Sequence, residues 1–418
     1  MKDIIKTLTF FIFLVLLFGV FFGSSKNSVK NQKPKGTQET QSTQEAVKSI
    51  PPENSPQILE IETEKPETIE IPATIRAVYI TSWSASRNDY INYLIDLAKN
   101  TEINAAVVDI KDWSGYIGYD TQVELAEKYG AESFRIKDID SFVKKLHDEE
   151  IYVIGRIAVF QDPILARTRP EIAIHSQSRL PLSPLDPFRP IFTSLTPFSL
   201  WLDRLGLAWI DPMAKENWDY NIAIAKDAIS HGFDEINFDY VRFPSDGDLK
   251  DMVFPIWDGK IEKHLVIKDF FKYLREQLPG VRLSVDLFGL TCSSADDLGV
   301  GQIIEDAFGY FDYISPMIYP SHYAPGFLGF ENPAEYPYEV INYSTARALQ
   351  RLSVFKETQE SNAQIRPWLQ DFNMGAIYDD SMVRNEIQAV LDATGKDFNG
   401  FMLWNPSNYY TEGALLPD

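Results

Sequence analysis

The chain has 418 residues, 44% hydrophobic and 13% aromatic, enough for one large domain with accessories or two ordinary ones around a sizeable core. Its 39 Lys and Arg stand against 60 Asp and Glu, a formal net charge of -21, so its field opposes nucleic acid and anionic lipid and favours a neutral or cationic ligand. The single cysteine, Cys292, excludes an intrachain disulfide and a cysteine-based zinc site, and His147, His175, His231, His264 and His322 lack metal-ligand spacing; no metal and no cofactor is expected.

In chain order, Lys2 and Lys6 precede an uncharged apolar run at residues 8–23. That is the length of a signal-peptide hydrophobic region or a short membrane anchor, since a full span takes about 20 residues. Residues 1–23 are therefore a signal peptide or membrane anchor. The lysines that follow, and the lack of a lipobox cysteine or strong cleavage signal, make an uncleaved anchor the preferred reading. Residues 24–72 are rich in Gln, Thr, Ser, Glu, Lys and Pro and have little to bury against the entropy of ordering, so they read as a disordered tether. An exported protein is expected, facing outward on the membrane, or secreted if the segment is cleaved; oligomeric state is left open.

The folded part, residues 73–418, opens on an apolar β-rich run at 76–83, followed by a helical pattern at 89–99. Further strand patterns fall at 104–112, 152–160, 233–244, 281–289, 313–320, 364–372 and 400–408. Helical patterns at 139–149, 218–231 and 261–278 lie between them. Eight strands alternating with helices predict a (β/α)8 TIM barrel of the usual ~250 residues plus insertions. The main insertion, about 161–210, is Pro-rich and aromatic and is expected to wall or cover a cleft.

Parity within the strands divides two faces. One is aliphatic and suited to packing on helices: Val78 and Ile80; Ala106, Val108 and Ile110; Val153, Ile157 and Val159; Leu283, Val285 and Leu287. The other would point into the barrel with Tyr79 and Trp83, Asp109 and Lys111, Arg156, Asn237 and Asp239, Ser284 and Asp286, Tyr319, Trp368 and Gln370. In the last strand either Met402 and Trp404 or Leu403 and Asn405 face in. Arg242 shares the parity of Tyr240, which points it away from the cavity or into the following loop.

Polar groups gather toward the strands' C-terminal ends, where barrels of this kind carry their sites. Glycosidic hydrolysis needs one carboxylic acid to protonate the leaving oxygen and one carboxylate as nucleophile or base. Asp239 and Asp286, on adjacent strands, are candidates for that pair, and Asp109 is a third. Lys111 or Arg156 could hold one of them ionised while a neighbour's pKa rises. Trp83, Trp113, Tyr319, Trp368 and Trp404 could stack on sugar rings, and His322, in the loop after the sixth strand, could flank the cleft. With Asn237, Arg242 and Gln370 these complete the substrate-binding candidates for a polysaccharide or oligosaccharide.

The motif Gly232-Phe-Asp-Glu-Ile-Asn-Phe-Asp-Tyr-Val-Arg-Phe-Pro244, with Val108-Asp-Ile-Lys-Asp112, Trp209-Ile-Asp-Pro212 and Ser315-Pro-Met-Ile-Tyr-Pro-Ser-His-Tyr323, resembles the bacterial putative glycosyl hydrolase domain family. The resemblance runs from about Ile75 to the C-terminus. It implies a TIM barrel distantly similar to the α-amylase clan, whose strand-four nucleophile carries over onto Asp239. The clan's strand-four Arg is Asn237 here, and its strand-five Glu acid is replaced by Asp286. The rival expectation is a carbohydrate-binding barrel without catalysis.

Overall fold

The computed structural model describes residues 71–178 and 199–417, all within the unit Pro66–Asp418. The expected anchor, nearly all of the tether and the middle of the insertion lie outside the described residues. Among those described, no helix is long and apolar enough to cross a membrane.

The eight alternating segments form eight parallel strands: β1 (Ile75–Ile80), β2 (Ala105–Lys111), β3 (Tyr152–Ala158), β4 (Glu235–Asp239), β5 (Leu283–Phe288), β6 (Tyr313–Met317), β7 (Trp368–Gln370) and β8 (Gly400–Trp404). Each pairs with its sequence neighbour, and β8 pairs back onto β1, which closes the barrel. A flanking helix precedes each next strand of the barrel: α1 (Asn88–Asn100), α2 (Ile139–His147), α3 (Lys215–Ser230), α4 (Lys263–Gln277), α5 (Ile304–Ala307), α6 (Pro337–Lys356) and α7 (Asp380–Thr394). At the closing seam Gly400 has φ +103°, and a Cβ there would stand 1.8 Å from the Ile75 carbonyl oxygen. Only glycine lets β8 approach β1 so closely.

Strand parity becomes two separate cores. Val78, Ile80, Ala106, Val108, Ile110, Val153, Ile157, Leu283, Val285 and Leu287 pack with the helices. Ala77, Tyr79, Ala105, Val107, Ile154, Trp368 and Met402 fill the barrel. Burial on both faces is what a parallel sheet covered by helices requires. The open choice in β8 is decided for Met402 and Trp404, since Leu403 belongs to the outer core.

Two expectations are corrected and a third is resolved. β1 stops at Ile80 because Thr81 caps a short helix, Ser82–Ala85, so Trp83 leaves the strand and is 62% exposed beneath the Arg135 guanidinium, 4.7 Å from its ring. A bulge between Asp109 and Lys111 breaks the parity of β2. Lys111 therefore turns toward α3, where it bonds Asp162 at 2.8 Å, Asn221 at 3.1 Å and the Ala158 carbonyl at 2.6 Å. β4 ends at Asp239, so Arg242 lies in the following loop, one of its two expected places, just past Tyr240 with its left-handed φ of +54°.

Candidate active site

Inside the mouth of the barrel, β2, β3, β4 and β5 each contribute one ionisable side chain at or near the C-terminal end. Arg156 of β3 is the hub: its Nη1 donates to Asp109 at 2.5 Å, its Nη2 to Asp239, and its Nε stands 3.6 Å from Asp286. Three carboxylates thus face one guanidinium, all four side chains buried.

The three acids differ in their other partners. Asp109 accepts from the Tyr79 hydroxyl at 2.5 Å, and burial pushes its carboxyl above the ordinary range against the pull of Arg156. Asp239 accepts from the Tyr240 backbone N–H at 2.5 Å. Asp286 is the most enclosed, and its Oδ1 accepts from Asn237 at 2.8 Å and from the Trp368 indole at 2.7 Å. Burial, reinforced by the negative charge of Asp239 and opposed by Arg156, pushes the Asp286 carboxyl up to about 8. It therefore holds a proton at neutral pH. Oδ1 accepts two N–H groups, and Oδ2 has Arg156 Nε at 3.6 Å as its nearest charged neighbour.

Aromatic rings line the same space. Trp404, partly exposed, lies 6.4 Å from Tyr79, 5.6 Å from Tyr319 and 5.0 Å from Phe372 between ring centroids. Trp368 meets Tyr79 edge-on at 6.5 Å. His322 packs 5.3 Å from Tyr319, and loss of hydration pushes its imidazole down to about 4, so it is neutral at pH 7. The structure thus brings together Asp109, Arg156, Asn237, Asp239, Asp286, Trp368, Tyr319, Trp404 and His322. Gln370 stands apart: fully buried, its amide ties Ser321 to the Phe372 carbonyl. Trp113 sits in the turn after β2 and is 36% exposed.

Two contributors were not among the sequence candidates. Tyr79 carried an inward parity, which is the signal that could have found it. Tyr240, whose ring lies 6.0 Å from the Arg156 guanidinium carbon and 5.5 Å from that of Arg242, had none, because its placement depends on a left-handed residue. Among the described residues no group of three or more His, Cys, Asp or Glu is arranged to hold a metal ion. A surface depression of about 580 Å³ near Lys356, Glu360 and Asn362 is lined by no pair of carboxylates.

Residues 77–410 match the model of the family described as putative glycosyl hydrolase domain. A hypothetical protein from Ruminiclostridium thermocellum is 39% identical, with a TM-score of 0.43 over 53% of this chain and 98% of its own. An alpha-galactosidase from Thermus thermophilus is 13% identical, with a TM-score of 0.44 over 82% of this chain and 60% of its own. The glycoside hydrolase domain of PelA from Pseudomonas aeruginosa is 10% identical, with a TM-score of 0.40 over 81% of this chain and 97% of its own. No curated protein matches the chain.

Proposed function

The chain belongs to the putative glycosyl hydrolase domain family, and from that premise we propose that its barrel hydrolyses glycosidic bonds of a polysaccharide, with Asp239 as nucleophile or base and Asp286 as the acid. The observation that carries this reading is the uneven set at the mouth: three carboxylates share one guanidinium, and one of them keeps a proton to about pH 8. Carboxyl groups pushed apart in pKa are what acid and base roles require. Asp286 delivers its proton to the leaving oxygen as that oxygen's bond to the anomeric carbon breaks, while Asp239, paired with Arg156, attacks this carbon or takes a proton from the water that does. Asp109 and Tyr79 fix the far side of Arg156, and Trp404 with Tyr319 offers a platform for a sugar ring. The proposal places this site outside the cell, held by the apolar N-terminal segment at residues 8–23.

The test is release of reducing ends by the full chain across a panel of polysaccharides, with Asp239→Asn as control. A glycan cleaved by the wild type and left intact by the variant, both equally folded by circular dichroism, is the expected result. Equal turnover by the two chains overturns the assignment of Asp239.

A further inference from the structure

The net charge of the chain disfavours anionic ligands, yet beside the carboxylate cluster lies a cation with no acid bonded to it. Three arginines are buried among the described residues, and two of them, Arg156 and Arg366, bond carboxylates. The third, Arg242, is 8% exposed and donates only from Nη1, to the Phe243 carbonyl at 3.1 Å. Asp239, Asp246 and Asp203 reach it only through space. Its guanidinium carbon stands 4.8 Å from the ring centroids of both Trp209 and Phe288.

The location ties this side chain to the site. Phe288 is two residues past Asp286 on β5, on the same face and about 6.6 Å nearer the mouth. Tyr240 separates Arg242 from Arg156. Rings against the guanidinium leave its edge for a ligand, and Nη1 is already given to Phe243. Nε and Nη2 remain, two parallel donors at the spacing of a carboxylate's two oxygens.

We infer that Arg242 binds a sugar carboxylate, and hence that the substrate is an acidic glycan with a uronic acid unit next to the scissile bond. The inference rests on the glycoside hydrolase reading for its site and adds the class of sugar. The surface charge does not forbid it. In physiological salt its field falls off within about 8 Å, whereas a desolvated guanidinium acts at contact.

The experiment measures binding and cleavage in the same samples, using the full chain. The probes are oligogalacturonides and glucuronoxylan fragments, each beside its carboxyl-reduced, neutral counterpart. Wild-type chain is expected to bind an acidic form at least tenfold tighter than its reduced partner by titration calorimetry. Arg242→Gln should bind both alike, and Arg242→Lys should keep part of the preference. Equal wild-type affinity for the two forms, no binding of any acidic probe, or a preference that persists in Arg242→Gln overturns the inference. The wild-type comparison needs no variant, so it decides the matter even where Arg242→Gln does not fold. An acid preference without release of reducing ends retains Arg242 as the carboxylate site and removes the hydrolase reading. Cleavage of neutral glycans with KM unchanged in Arg242→Gln does the reverse.

Discussion

Strand β4 carries a buried acid near each end, and the two live in opposite electrostatic circumstances. At its N-terminal end Glu235 meets one cation, Arg366: both are fully buried, Nη1 donates at 3.2 Å and Nη2 bonds the other oxygen, with the guanidinium 4.0 Å from the Tyr313 ring and the Tyr152 hydroxyl donating to Glu235 at 3.4 Å. At its C-terminal end Asp239 shares Arg156 with Asp109 and Asp286. The first is a matched pair of one acid and one cation at the barrel floor. A cluster with more acids than cations settles by keeping a proton, and that proton is what the proposed chemistry uses.

The comparison can be broken most sharply at the mouth. Asp239→Asn should lower kcat by about 10⁴-fold or more while the thermal melt stays cooperative; a loss that comes only from unfolding would place Asp239 with Glu235 as a structural acid. Asp286→Asn should lower kcat by about 10²–10⁴-fold. In the wild type, activity should fall as pH rises through about 8, where Asp286 gives up its proton. A pH–rate profile whose basic limb lies elsewhere argues for a different acid.

At the floor, Glu235→Gln leaves Arg366 buried without its counter-charge and should cost about 3–5 kcal/mol in a urea melt. Turnover of the folded fraction should be unchanged. Asp286 also has a signature in stability. Its folded carboxyl titrates at about 8 and an unfolded one near ~3.9, so between those values the folded state holds the extra proton. Stability therefore falls as pH rises through that window, by up to about 1.4 kcal/mol per pH unit, and Asp286→Asn should flatten the slope. The smallest effect is expected from Tyr79→Phe, which removes one hydrogen bond to Asp109 and should cost about 1.5 kcal/mol.

Much of the site was legible in the strands. Alternation alone turned Asp109, Arg156, Asn237, Asp239, Asp286 and Trp368 inward, and the structure gathers all six. The misses share a cause. Lys111 lies beyond a bulge and Trp83 beyond a capped helix start. Each is a local break in period 2 that the residue types do not announce. In β8 both faces are apolar at the start, so only packing chose Trp404 over Asn405.

The sequence by itself determined the architecture and the facing of most strand residues, because β-strand alternation is a property of adjacent residues and eight repeats of it leave few topologies. Tertiary structure decided which charges meet. Arg156 lies 47 residues from Asp109 and 83 from Asp239 along the chain, and whether a buried acid is matched or left with a proton depends on the distance and desolvation of groups that only the closed barrel brings together.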